Sequence, residues 1–437
     1  MAKPGERGRA RAGLLRVTLD LTPLRTSRDF RLLWAGLFVS EIGYQFTRVA
    51  LYVQVYALTG STAMVGLLGL AGLAGQVAGT LIGASFIDAH DRRRIVLWSQ
   101  VVLAALSGVL LITTVTNRAP IAVLFSVNAA MWFVGAIEGP ARSAMTPRLV
   151  GADLVPAALA LYQVLWQTVQ IVGPALAGLV IAATAPSWAY GVDMVTYGAL
   201  IVAALAMRPM PPEHDTSEAV GWVAVREGFG HVKRERLLQS TFAIDLVAMI
   251  FGMPMALFPA LAVTQFHRGI GVVGLLFAAP SVGALLQALV GGWTGRVRRQ
   301  GEVVVWAVVG WGAAIAAFGL VGDHLLWALF FLAAAGAADV VSAIFRSTIL
   351  QVMVPDRLRG RLSSIFMLVV AGGPKLGDLE AGLVATAFTP TVSVVSGGLA
   401  CIVGAFVCAA VYPELRRYRA TVGGAPTGDE GRAAAGP

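Results

Sequence analysis

Residues 62–94 read TAMVGLLGLAGLAGQVAGTLIGASFIDAHDRRR, an apolar run that ends in two acids and three consecutive arginines. A run of roughly 20 apolar residues crosses a bilayer as a helix, because hydrocarbon offers the backbone no hydrogen-bond partner. The pattern recurs along the chain. Apolar stretches lie near 31–57, 62–87, 95–115, 120–144, 157–184, 187–207, 239–263, 270–293, 302–321, 324–350, 362–388 and 390–412. Basic residues crowd alternate gaps. One set holds Arg92, Arg93 and Arg94, then Arg148, then Arg226, Lys233, Arg234 and Arg236, then Arg296, Arg298 and Arg299, then Arg357, Arg359 and Arg361. The other set holds only Arg118 and Arg268. Basic gaps stay on the cytoplasmic side, so both termini are expected there too. The expected fold is an all-α membrane protein with twelve transmembrane helices.

Composition agrees. The chain is 57% hydrophobic and 13% charged, against a globular norm of roughly 25% charged. The net charge of +9 sits in short loops and tails beside spans, where insertion and anionic lipid explain it without a nucleic acid. The partners implied are the lipid bilayer and whatever crosses it. Cys401 and Cys408 fall on one face of the last span, too far apart along the helix for a disulfide. The histidines (His90, His214, His231, His267, His324) are scattered at span ends and loops and suggest no metal site. No glycine-rich run ends in Lys-Ser or Lys-Thr, so nothing suggests a nucleotide cofactor. The reading is not an enzyme, needs no cofactor, and expects a monomer.

The sequence repeats itself. Arg142-Ser143 recurs as Arg346-Ser347, Gly173 and Gly178 recur as Gly377 and Gly382, and Ala-Gly-Leu-Val at 177–180 recurs at 381–384, all at one offset of 204. This predicts two pseudo-symmetric six-helix halves, 31–207 and 239–412. They are joined by a cytoplasmic linker at 208–238 and flanked by tails at 1–30 and 413–437. The linker's second part, VGWVAVREGFGHVKRERLL, reads as an amphipathic helix. Parallel halves are the build of alternating-access transporters, with a site near the midplane.

The loop Gly83-Ala84-Ser85-Phe86-Ile87-Asp88-Ala89-His90-Asp91-Arg92-Arg93-Arg94 resembles the signature loop of the major facilitator superfamily. Ala84 and Ala89 depart from its usual glycine and basic residue. The run from Glu138 to Ala183, with Gly-Pro-Ala-Arg, Pro-Arg-Leu-Val and Gly-Pro-Ala-Leu-Ala-Gly, resembles its branch of drug and siderophore exporters, including enterobactin-exporter-like and macrolide-efflux-like proteins. The resemblance implies a multi-pass carrier in a bacterial inner membrane. Asp88 and Asp91 beside Arg92 and Arg93 at a cytoplasmic helix end read as a conformational gate, or else as a solvated turn; Glu138 and Arg142, near the cytoplasmic end of span four, are its expected partners, with Asp339 and Arg346 their counterparts in span ten. Gly173, Pro174 and Gly178 resemble the helix-break element of exporters. The arginine that the family carries in mid span four is absent, since that stretch reads Asn128-Ala129-Ala130-Met131-Trp132.

Ionisable groups at membrane depth are costly and mark function. Glu41 lies near the middle of span one, with Tyr44, Gln45 and Arg48 on the same stripe. A buried carboxylate suits proton coupling. Span eleven carries Gly372-Gly373-Pro374-Lys375-Leu376-Gly377-Asp378-Leu379-Glu380, which reads as a broken helix. Lys375 either neutralises Asp378 or pairs with Glu41 across the halves. Gln163, Trp166, Gln167 and Gln170 are expected to line a wet cavity from span five. Asp193 and Asp245 read as caps or interhelical anchors. The expected activity is proton-coupled export of a small, partly apolar organic compound by alternating access. Uptake of a metabolite, lipid flipping, and a non-transporting sensor on the same fold are the alternatives.

Overall fold

A computed structural model describes residues 19–211, 230, 232–233, 235–353 and 359–419, excepting the side chains of 84, 85, 88, 359–368 and 371. The expected linker helix and both tails therefore fall largely outside the described residues. The described chain is helical, with no strand.

Six long helices form the first half: α1 Arg28–Thr59, α2 Thr62–Ala89, α3 Arg92–Val115, α4 Ile121–Val150, α5 Val155–Ala183 and α6 Pro186–Ala206. The second half begins with α7, which runs Arg236–Phe251, turns through Met255–Leu257 and resumes at Phe258–Thr264. It continues with α8 Gly271–Val290, α9 Gln300–Leu320, α10 Leu325–Met353, α11 Arg359–Ala387 and α12 Pro390–Val411. Among the described residues, ten stretches are long and apolar enough to cross a membrane. The other two long helices, α1 and α11, carry the mid-helix charges Glu41, Arg48, Lys375 and Asp378.

Local sequence sets the ends. Ser27 accepts from Phe30 N at 3.2 Å to start α1, and Thr389 accepts from Val392 N at 3.1 Å to start α12. Gly60 ends α1 at φ 62°, a conformation that favours glycine. The surface is studded with exposed Val195, Leu289, Leu326 and Phe388, which suits lipid. Hydrophobic burial gives little drive between helices in hydrocarbon, so close packing and hydrogen bonds carry the association.

Two expectations about helix breaks are corrected. Helix α11 is continuous through Pro374, because proline deletes a single backbone donor and small neighbours let α7 lie against it. The break falls instead in α7, at Gly252-Met253-Pro254. There the freed Ala256 N–H donates to Asp378 Oδ1 at 2.8 Å. Helix α4 also runs past its expected end, through Pro140 and Pro147 to Val150.

The repeat survives at the level of contacts. A Cβ on Gly173 would lie 2.7 Å from Gln45 Cβ, and one on Gly377 would lie 2.5 Å from Met249 O. Gln45 and Met249 are again separated by the repeat offset, so α5 meets α1 as α11 meets α7. The halves join through α2 with α11 and through α5 with α8. Cross-half bonds run from Thr62 Oγ1 to Gly382 O at 3.0 Å, through Tyr52 Oη to Asp378 Oδ2 at 2.7 Å, to Lys375 Nζ on Gln76 Oε1 at 2.5 Å. On the other side Gly178 packs on Gly271 and Gly274, and Gln167 Nε2 donates to Ser281 O at 2.6 Å. The joined end is the one with few arginines, where the α1–α2 and α11–α12 connections lie.

At the opposite end the arginines do more than mark a side. Asp91 caps α3, accepting from Arg93 N at 2.9 Å, and also accepts from Met210 N at 3.0 Å. Arg93 donates to Ala204 O at 2.5 Å and Leu205 O at 2.8 Å, and Arg92 donates to Ala144 O at 3.2 Å. These guanidinium groups satisfy carbonyls at the C-terminal end of α6 and late in α4, where helix dipoles favour cations. Arg93→Ala should lower stability by about 2 kcal/mol, read as a reduced thermal midpoint in detergent. An unchanged midpoint would reduce Arg93 to a topology signal.

Candidate functional site

Three charged clusters sit within the bundle. The first joins α1 to α4. Arg142 Nη1 lies 3.0 Å from Glu138 Oε1 and 3.6 Å from Glu41 Oε1. Its guanidinium stands over the Trp166 ring of α5, 5.8 Å from the centroid. The side chains of Arg142, Glu41 and Glu138 are 12%, 16% and 7% exposed, so they are dehydrated without being sealed. Two carboxylates thus share one guanidinium. If all three are ionised the cluster carries one uncompensated negative charge, a costly condition in a low-dielectric setting.

The second cluster faces α1 from the other half. Lys375 Nζ bonds Gln76 and lies 3.3 Å from the Trp132 ring centroid. Tyr44 meets the same ring edge-on at 6.4 Å. Asp378 accepts from Tyr52 and from Ala256 N. Neither Glu41 nor Asp378 lies within ion-pair distance of Lys375, whose direct contacts are a glutamine and an indole. Its position on α11 turns it toward α2, and Glu41 already faces Arg142. Glu138 and Arg142 also sit with Glu41 rather than at the α2–α3 connection. The side chain of Asp88 lies outside the described residues.

A cavity of about 210 Å³ is lined by Arg48, Gln167, Met255, Phe277, Trp311 and Asp339, among others. Arg48 donates to Gln45 Oε1 at 3.3 Å and to Met255 Sδ at 3.2 Å, with its guanidinium 5.3 Å from the Phe277 centroid. Gln45 is buried and bonds Gln170 on α5. Gln163 is exposed, one turn before Gln167. The wall is apolar and aromatic with a few convergent polar groups, the usual make-up of a small-molecule site.

The third cluster joins α7 to α10. Arg346 meets Asp245, and its Nη2 lies 3.9 Å from Asp339 Oδ1. Asp245, expected as a cap or interhelical anchor, lies one repeat offset after Glu41, a signal present in the sequence. Gln76, the amide in the middle of an otherwise apolar span, was a second. Trp132 and Tyr52 carried no such signal. Asp193 does serve as an anchor: it is fully buried and accepts from Thr47 at 2.5 Å and Ser107 at 2.7 Å, tying α6 to α1 and α3. Among the described residues no group of His, Cys, Asp and Glu could hold a metal ion.

Comparison with known proteins agrees with the fold. Residues 18–420 match the family described as transmembrane secretion effector. The enterobactin exporter EntS of Citrobacter koseri is 26% identical over 412 residues, covering 92% of this chain and 96% of that protein. The enterobactin exporter EntS of Escherichia coli is 24% identical over 408 residues, with the same coverage. Among solved structures, the nucleoside transporter NupG superposes with a TM-score of 0.69 at 14% identity, covering 90% of this chain and 100% of that one. A bacterial homologue of the human lysosomal transporter Spinster, inward-facing and unoccupied, gives 0.68 at 14% identity, covering 89% and 98%.

Proposed function

The chain belongs to the transmembrane secretion effector family of major facilitator transporters, and we propose that it exports a small, partly apolar organic compound in exchange for protons. The observation that carries this reading is the Glu41–Arg142–Glu138 cluster, two acids on one guanidinium inside the helix bundle. A proton taken by Glu41 cancels the excess charge and loosens its hold on Arg142. Such a change biases a two-state arrangement only if it differs between the states. Glu41 on α1 and Arg142 on α4 sit on separate helices, so their spacing can differ. The resemblance of long stretches to enterobactin exporters supports export, and the small, mostly apolar and aromatic cavity supports an organic cargo. A strain lacking the gene should accumulate the cargo when challenged with a panel of secreted metabolites and antimicrobial compounds. Equal intracellular levels of every compound with and without the gene would count against export.

The arginine-rich end is assigned to the cytoplasm by the positive-inside rule. The joined end is then the outer mouth, and this conformation is closed to the outside. Cysteines introduced at the exposed Arg298 and Arg118 test the assignment. A membrane-impermeant maleimide added to intact cells should label position 118 and spare 298. Labelling of 298 would invert the topology and with it the direction of transport.

A further inference from the structure

The second half repeats the first half's ion pair. Glu41 and Arg142 join α1 to α4, Asp245 and Arg346 join α7 to α10, and both members are displaced by the same 204 positions as the other repeats. Each arginine also faces a further acid on its own helix: Glu138, four residues before Arg142, and Asp339, seven residues before Arg346. The position equivalent to Glu138 is Ser342, so the second acid has moved by one helical turn along α10 while the count of two acids to one arginine is kept.

The second cluster is less well satisfied than the first. Asp245 is 1% exposed, and its Oδ2 has no hydrogen-bond partner. Ser342 is 0% exposed with an unpartnered Oγ, and Arg346 Nε is unpartnered too. Ser342 stands between Asp339 and Arg346 on one face of α10. Asp339 is 30% exposed and lines the cavity, whereas the side chains of Asp245 and Arg346 are 2% and 4% exposed.

Few other charges surround α7. Helix α11 brings Lys375, Asp378 and Glu380 in its described part, of which Lys375 is bonded to Gln76 and Asp378 to Tyr52 and Ala256. Helix α1 brings Arg48, whose bonds go to Gln45 and Met255. Helix α9 carries Glu302 in its first turn, α12 carries only the thiols Cys401 and Cys408, and α8 has no charged residue. Arg236, at the start of α7, pairs with Glu414 at 3.4 Å.

We propose that Asp245, Asp339 and Arg346 form a second proton-binding site, the counterpart of the Glu41 site, so that the carrier takes up one proton in each half. This rests on reading Glu41 as a proton site. The proton enters from the cavity at Asp339 and settles on Asp245. The only bond formed is O–H; the guanidinium keeps its own proton and turns from the neutral Asp245 to the charged Asp339. The cluster's net charge goes from one negative to zero.

Infrared difference spectra of the full chain in lipid, taken between alkaline and acid pH, test this without a substrate. Among the protonated carboxylic-acid bands the wild type gains, one should belong to Glu41 and one to Asp245. Glu41→Gln should remove one and Asp245→Asn the other, and Asp339→Asn should move the pH midpoint of the Asp245 band. Asp245→Glu keeps the carboxyl and covers the case in which the asparagine variant does not fold; its band should shift in frequency. If Asp245→Asn leaves both bands, or Asp245→Glu leaves the spectrum unmoved, Asp245 is a permanent ion-pair anchor and the second site falls. Persistence of both bands in Glu41→Gln overturns the first site while leaving the test of the second intact.

Discussion

Gly178→Leu is expected to abolish transport and to leave the molecule open at the end closed in this conformation. A Cβ at position 178 would lie 2.8 Å from Gly271 O and 2.8 Å from Gly274 Cα, both backbone atoms of the opposite half. Backbone cannot swing aside as a side chain can. The clash exists only while α5 and α8 are pressed together, so the substitution penalises one state of the cycle. Overpacking costs roughly 1–3 kcal/mol, occasionally more, and about 3 kcal/mol shifts an equilibrium by roughly a hundred-fold. Spin labels at Leu58 and Phe388, both exposed near that end, should report a longer distance in the variant by pulsed dipolar spectroscopy. An unchanged distance together with normal transport would mean that the α5–α8 contact is not a gate.

The second large effect is at Glu41. Glu41→Gln keeps the shape of the protonated side chain and removes its titration. It should abolish concentration of the cargo against a gradient, while downhill exchange of labelled for unlabelled cargo continues. Arg142→Gln should be harsher than Glu41→Gln, because it leaves Glu41 and Glu138 facing each other with no cation between them; breaking a buried pair in this way costs about 3–5 kcal/mol. The double variant should be milder than the sum of the two, since the residues share one interaction. Strict additivity would show that Glu41 and Arg142 do not work as a pair.

Depth was legible in the sequence, and rotation was not. The arginine gaps and apolar runs gave twelve helices and their alternation, because hydropathy and length decide what crosses a bilayer. Counting along a helix placed Glu41 and Lys375 at mid-membrane. It could not tell that Lys375 turns toward Gln76 and Trp132, since azimuth depends on how α11 crosses α2 and α4. Arg142 lies near the end of the expected span at 120–144, whereas the helix continues through Pro147 to Val150 and leaves Arg142 more than two turns inside it. The sequence suggests a break at the proline of span eleven and draws no attention to that of span seven. Pro374 is accommodated and Pro254 marks a break, tolerated because the Asp378 carboxylate accepts from the freed Ala256 N–H and the Trp311 indole donates to Gly252 O. The repeat offset was the most under-used signal, for it links Glu41 to Asp245 as directly as Arg142 to Arg346.

Proton-driven export can be tested most directly in inverted membrane vesicles loaded with a pH-sensitive dye. The compound retained by the deletion strain is added outside, against an imposed gradient with an acid interior. The wild type should concentrate that compound inside and dissipate the gradient as it does so, and the Glu41→Gln variant should do neither. Concentration of the compound by Glu41→Gln with undiminished gradient loss would contradict coupling through the α1–α4 cluster.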